Sequence, residues 1–224
     1  MSTTGSGTPG GAAPPYRPDP GPPPLPLRTE RLVLRAHRDG DAAALAYYGD
    51  AEVTRFMLLH ALGEAERDAM VARRATSLHP RAPGETLPLV VERDGVVVGD
   101  VVLKVVDAWG GVGEVGWVLD PRHGGRGYAT EAAAALADLA FDHYGMHRVE
   151  ARLDARNAAS ARVCARLGMR LEAHLRRDWW MRGEWTDTQV HAVLVEEWRA
   201  LERPRPAGGR PRRGSVRPVA RRPG

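Results

Sequence analysis

With 224 residues, 43% of them hydrophobic, and one cysteine, the chain is long enough to bury a real core and cannot form an intramolecular disulfide framework or a cysteine-rich zinc site. No apolar run approaches the roughly 20 residues a membrane-spanning helix needs, and the N-terminus lacks the basic-then-apolar order of a secretory signal, so the expected location is the cytoplasm, without membrane contact. The net charge of +4 marks no general basic face: the eight arginines from Arg203 to Arg222 stand without an acid and carry +8, which leaves the rest at −4.

Residues 1–26 are dominated by Gly, Pro, Ser, Thr and Ala and are expected to form a disordered leader; residues 27–202 form the single domain, and 203–224 an Arg/Pro-rich disordered tail. Arg31 to Ala36 opens the domain as a strand, Asp39 to Tyr48 follows as a helix, Asp50 to Phe56 as a short turn, and Glu64 to Leu78 as a helix ended by His79-Pro80. Leu87 to Glu92 and Val96 to Val106 are β-branched runs joined by Arg93-Asp94-Gly95, an Asp-Gly hairpin signal. Glu114 to Leu119 extends this antiparallel meander. Tyr128 to Tyr144 is a helix closed by Gly145, His147 to Asp154 a strand, and Asn157 to Leu167 a helix stopped by Gly168. Met169 to Glu172 returns to the sheet, Leu175 to Met181 and Thr186 to Val195 flank the Arg182-Gly183 turn, and Glu196 to Leu201 closes the domain as a short helix. The strands on either side of the Tyr128 helix must be parallel, because a helix lies between them.

The stretch Glu114 to Glu131 joins a strand, a glycine-rich loop and a helix start. Gly124, Gly125 and Gly127 let backbone N–H groups converge, and the helix behind adds its dipole, so the loop reads as an anion cradle suited to phosphate. The Walker pattern fails because Tyr128 follows the last glycine, and the dinucleotide fingerprint fails because Thr130 stands where a third glycine belongs. What remains is Arg122-x-x-Gly125-x-Gly127-Tyr128-Ala129. This resembles the acyl-CoA pyrophosphate loop of the GNAT superfamily of N-acetyltransferases, Arg/Gln-x-x-Gly-x-Gly/Ala, and the element order matches that superfamily over roughly Leu27 to Leu201. Thr29-Glu-Arg-Leu-Val-Leu-Arg35, Glu114-Val-Gly-Trp117, Asn157-x-x-Ser160, Gly183-Glu-Trp-Thr-Asp187 and Glu197-Trp198 resemble the branch that holds the ribosomal-protein N-terminal acetyltransferases.

The resemblance implies an α/β (α+β) GNAT fold, a mixed, mostly antiparallel sheet of about seven strands with helices on both faces. It implies acetyl-CoA as co-substrate, no metal, and direct attack by an acceptor amine in a ternary complex. Trp117, Val118 and Leu119 would hold the pantetheine and thioester. Arg122, Gly124, Gly125, Arg126, Gly127, Tyr128 and Ala129 would take the pyrophosphate, and Asn157 and Ser160 would contact the pantetheine near the thiol. Such a transfer needs a deprotonated amine, stabilisation of the oxyanion and a proton for the thiolate.

Glu114 is the first candidate base, acting through water; as a bare strand-end residue it is equally a solvated charge. His191 stands where relatives often carry a tyrosine that protonates the thiolate; it reads as acid, base or packed bystander. Asn157 and Ser160 serve as a helix cap with or without a cofactor, and Ser160 also stands among the catalytic candidates. Cys164 packs as a small hydrophobe, since the reaction needs no acyl-enzyme. Trp179, Trp180 and Trp185 either cover a sheet edge or wall the acceptor groove, which Met57 and Trp109 would also shape. The acceptor expected from the resemblance is a protein N-terminal α-amine. A small-molecule amine, such as an antibiotic or a polyamine, and a CoA-binding module without turnover are the alternatives. The arginine tail offers weak RNA or ribosome contact, or is simply solvated, and the protein is expected to be a monomer or homodimer.

Overall fold

A computed structural model describes residues 20–108 and 111–201; Trp109, most of the leader and the tail lie outside the described residues. The strands are β1 (Leu27–Arg28), β2 (Val33–Ala36), β3 (Thr86–Arg93), β4 (Val96–Asp107), β5 (Val112–Leu119), β6 (Arg148–Asp154), β7 (Arg170–Met181) and β8 (Glu184–Leu194). The helices are α1 (Asp41–Ala44), α2 (Ala51–Thr54), α3 (Glu64–Ala75), α4 (Tyr128–Asp142), α5 (Ala158–Arg166) and α6 (Val195–Ala200). All strands join one sheet in the order β1-β2-β3-β4-β5-β6-β8-β7. Every neighbouring pair is antiparallel except β5 and β6, which α4 connects.

The sheet has eight strands rather than about seven. The additional one is β1, whose two residues pair as Leu27↔Leu34 and Arg28↔Val33, a segment too short to show any periodicity. The expected helix from Asp39 to Tyr48 is broken: Gly40 takes a left-handed φ of 89°, α1 starts after it, and Ala46–Gly49 tightens into a 3₁₀ turn. The two segments expected between Met169 and Met181 are one strand, β7, kinked where Arg177 adopts a φ of 52°. Asp187 Oδ1 accepts from Arg177 N at 2.9 Å and steadies that bulge. Residues 20–26, assigned to the leader by composition, run against the body: Leu25 packs on the core and the Gly21 carbonyl contacts His143 Nε2 at 3.0 Å.

Two buried clusters lie on opposite faces of the sheet. On one face Leu103 of β4 and Val115 of β5 pack with Ala132, Ala133, Leu136 and Ala140 of α4, whose alanines let the helix approach the strands closely. Leu136 is fully buried, and burial of such a side chain stabilises by about 1.5–3 kcal/mol. On the other face Leu45, Tyr47, Tyr48, Met70 and Val71 pack against Val97 and Val118. Alternation along β5 therefore sends Trp117 and Leu119 towards α4 and Val118 towards α1 and α3.

β5 and β6 pair only at their first residues, Val112↔Arg148, Gly113↔Val149 and Glu114↔Glu150. β5 then runs on to Leu119 and β6 to Asp154 without further pairing, so the strands splay and leave a cleft in the middle of the sheet.

Candidate active site

The anion loop is built from its own sequence. Asp120 ends β5, and its carboxylate accepts from Arg122 N at 2.9 Å, which sets the turn at Pro121–His123. Gly125 and Gly127 have φ of 74° and 80°, a region that side chains rarely adopt. α4 opens directly behind Gly127 without a side-chain cap, and its first intrahelical bond runs from Glu131 N to the Gly127 carbonyl at 3.1 Å. The amides of the first turn, Tyr128 to Thr130, therefore face the loop with the positive end of a four-turn helix behind them. Exposed Gly124 to Gly127 in front of them is a fitting seat for a pyrophosphate.

Arg122 is placed differently from the other loop residues. Its guanidinium turns back onto Asp120, with Nε at 3.0 Å from Oδ1 and 2.9 Å from Oδ2. Hydrogen bonding from Arg122 holds the Asp120 carboxyl below the usual carboxylate range. The loop is also latched from the turn between β1 and β2, a contact the motif did not announce. Glu131 accepts from Thr29 Oγ1 at 2.5 Å and from Arg31 Nε at 2.7 Å, while Arg31 Nη1 donates to the Arg126 carbonyl at 3.0 Å. Arg31 and Arg93 flank the Tyr128 ring at 5.0 and 5.3 Å from its centroid.

The splay opens a cleft of about 290 Å³. Trp117 and Val118 line it from β5, Ala151 to Leu153 from β6, and Asn157 and Ser160 from the start of α5. Asn157 Oδ1 accepts from Ser160 N at 3.0 Å, so the amide caps α5, and its NH₂ remains a donor beside the cleft. Leu119 packs on the core and does not line the cleft. Glu114 lies off the lining as well, with Oε2 at 3.3 Å from Lys104 Nζ. His191 is also away from it: it pairs with Ala151 across the sheet, is 8% exposed and contacts Gln189 Oε1 through Nε2 at 3.2 Å. Burial lowers its pKa. Cys164 is buried, which pushes its thiol up to about 12 and leaves no thiolate for nucleophilic attack near neutrality.

The opposite wall of the cleft holds residues that sequence reading missed. Tyr48 Oη donates to Asp100 Oδ1 at 2.9 Å, Arg74 Nη1 pairs with Asp100 Oδ2, and all three line the cleft. Burial pushes the Asp100 carboxyl up, against the pull of Arg74 and Tyr48. A signal for Asp100 was present, since it interrupts the β-branched run of β4; nothing marks Arg74 or Tyr48 as its partners. Phe56, Met57 and Leu58 roof the cleft. The β7–β8 turn clasps this roof, because Arg182 Nη2 donates to the carbonyls of Thr54 at 2.8 Å and Leu59 at 3.2 Å. Trp180 and Trp185, at the same hairpin, meet edge-on with ring centroids 5.4 Å apart and stay 59% and 56% exposed.

A splayed parallel pair, an uncapped helix behind a glycine loop and a roofed second wall together give an anion seat beside a cleft, the arrangement expected from the resemblance to the acetyltransferases. Residues 31–170 match the family model of the acetyltransferase (GNAT) domain, and the chain belongs to that family. It is an N-acetyltransferase with acetyl-CoA as its co-substrate. It is 28% identical over 173 residues to the uncharacterized N-acetyltransferase YnaD of Bacillus subtilis strain 168, covering 77% of this chain and 98% of that one. Identity to the spermidine N(1)-acetyltransferase of Escherichia coli K12 is 23% over 175 residues, 78% of this chain and 87% of the relative. Among solved structures, Mycobacterium smegmatis RimJ in complex with CoA-disulfide aligns with a TM-score of 0.66 at 25% identity, over 79% of this chain and 91% of that one. Among the described residues no helix is long and apolar enough to cross a membrane, and no three His, Cys, Asp or Glu side chains could share a metal ion.

Proposed function

We propose that the chain acetylates a protein N-terminal α-amine by direct attack in a ternary complex, within the branch that holds the ribosomal-protein N-terminal acetyltransferases. The observation that carries this reading is that one cleft has two differently built sides, the splayed β5 and β6 with the start of α5 on one and the roofed Tyr48–Asp100–Arg74 side on the other, and that the glycine loop and α4 start follow directly on β5. Donor and acceptor then meet between β5 and β6 without a covalent enzyme intermediate, in keeping with the buried Cys164.

In this reading the amides of Gly124 to Ala129 hold the pyrophosphate, with Arg126 beside them and Arg122 fixing the turn through Asp120. The backbone of Trp117 and Val118 and the amide of Asn157 hold the pantetheine. The amine loses a proton to water in the cleft, attacks the thioester carbon, and the carbon–sulfur bond breaks. Ser160, on the cleft lining, is placed to relay to the thiolate the proton the amine gave to water, its hydroxyl passing one proton on as it accepts another. Glu114 and His191 are given no step, because both lie off that lining, Glu114 paired with Lys104 at 3.3 Å and His191 with its charged form disfavoured by burial. The second reading is a small-molecule amine acceptor, favoured by the similarity to a spermidine acetyltransferase.

The test is thiol release from acetyl-CoA against a panel of peptides and small amines. Release with peptides, abolished in a Gly125→Glu, Gly127→Glu variant, supports the reading; acetyl-CoA binding without turnover on any amine would sink it in favour of a binding module.

A further inference from the structure

We propose that the acceptor is an α-amino acyl group, an amine one carbon from a carbonyl or carboxylate oxygen, that Arg152 reads this oxygen, and that polyamines are rejected. The inference rests on the N-acetyltransferase reading and narrows its acceptor.

The charges around the cleft carry the argument. Among the described residues that line it, the charged side chains are Arg74, Asp100 and Arg152. Asp100 is 2% exposed and fully engaged by Arg74 and the Tyr48 hydroxyl. Acids close to lining positions are engaged or lie off the lining: Glu114 Oε2 sits at 3.3 Å from Lys104 Nζ, Asp154 Oδ2 at 2.7 Å from Arg156 Nη2, and Asp178, loosely held at 3.7 Å from Arg152 Nη2, does not line the cleft. A polyamine brings at least one ammonium beyond the reacting amine, and no unpaired carboxylate on this wall would replace its lost hydration. Its second charge would instead meet Arg152.

Arg152 is the group with capacity to spare. It stands on β6 between Ala151 and Leu153, across the splay from Trp117 and Val118. Its side chain is 33% exposed, and its contact with Asp178 is longer than a hydrogen bond. Its planar N–H fork is therefore free to take a carbonyl or carboxylate oxygen. Asp178 Oδ1 is buried without a hydrogen-bond partner, so this acid acts as a loose countercharge, not as an amine receptor open to the cleft. Phe56, Met57 and Leu58 above give an apolar roof that suits a short side chain next to the amine and offers nothing to a second cation.

The experiment uses the full chain, acetyl-CoA and thiol detection with four acceptors: a neutral alanine-terminated peptide amide, free alanine, spermidine and n-propylamine. The expected kcat/KM for the peptide or for alanine exceeds that for spermidine and for propylamine by on the order of 100-fold, because a site built to bond an oxygen penalises amines that lack it. The peptide and alanine arms separate a carbonyl source from a carboxylate source. Arg152→Glu is expected to raise the acceptor KM about tenfold and to improve spermidine, with Arg152→Lys in between. Asp178→Asn, which frees Arg152, is expected to lower the acceptor KM. Acetyl-CoA affinity and the melting temperature report whether each variant is folded; if Arg152→Glu is not, Arg152→Lys and Asp178→Asn carry the test. Spermidine within tenfold of the better α-amino acceptor, or an acceptor KM unmoved in the folded variants, overturns the inference while leaving the enzyme an N-acetyltransferase. Absence of thiol release with every amine overturns the reading beneath it as well.

Discussion

The two walls of the cleft are made in opposite ways. The side proposed for the donor, from β5 through the loop into α4, is one continuous stretch that offers backbone amides, so what it can bind follows from local conformation: a strand, a break, two left-handed glycines and a helix start. The opposite wall draws Tyr48, Phe56, Arg74 and Asp100 from four separate segments, with Tyr48, Arg74 and Asp100 held by one another, and Arg152 faces the same cleft from a fifth. A backbone site tolerates exchange of most side chains around it, whereas a side-chain site changes with each substitution. On the proposed reading the first side serves the shared chemistry, and the second is free to define the acceptor.

Breaking each wall separates these roles. The largest effect falls on the acceptor side: Asp100→Ala leaves the Arg74 cation buried without its partner, with an expected loss of about 3–5 kcal/mol of stability in urea unfolding. On the donor side, Gly125→Glu with Gly127→Glu forces side chains into left-handed backbone and places two carboxylates where the pyrophosphate belongs. The KM for acetyl-CoA should rise by on the order of 100-fold, and the melting temperature should fall through the strain at two left-handed positions, about 1–2 kcal/mol each.

The acceptor side should also be the more acid-sensitive half. His37 is buried with neither ring nitrogen hydrogen-bonded, and burial, with the nearby Arg74, lowers its pKa to about 4. A depressed histidine favours folding while it is neutral, so its contribution is complete above about pH 6.5 and is lost as the pH falls towards 4. The loss reaches about 3 kcal/mol, and a His37→Leu variant should show a correspondingly flatter stability profile between those limits.

A smaller effect sharpens the donor side. Arg31→Ala removes the latch on the Arg126 carbonyl, and the KM for acetyl-CoA should rise about tenfold. With acetyl-pantetheine, which lacks the pyrophosphate, kcat/KM should not change; an equal loss on both donors would show that Arg31 supports the fold at large. Smallest of all, Cys164→Ala should keep kcat within about twofold in the thiol-release assay, since the thiol is buried and protonated.

What could be read from residues alone follows the same division. Val112 to Asp142 was legible because strand, glycine loop and alanine-rich helix are local signals, and the Asn157 cap sat where its spacing put it. The acceptor wall was not, because only folding brings Arg74 and Asp100 together, and Asp100 by itself was merely a charge inside a strand. Glu114 and His191 illustrate the limit from the other direction. Each occupied a plausible strand position, but which way a cleft opens depends on where β5 and β6 stop pairing, and no residue pattern encodes that point. β1 escaped for a simpler reason, two residues being too few to alternate.

The central claim is that the loop and the splay together form the donor seat, and a structure of the protein with bound CoA tests it most directly. The account predicts the pyrophosphate on the amides between Gly124 and Ala129 and the thiol in the cleft between Trp117 and Ser160. A CoA molecule bound elsewhere, or one whose thiol points away from the Tyr48–Asp100–Arg74 wall, would contradict it.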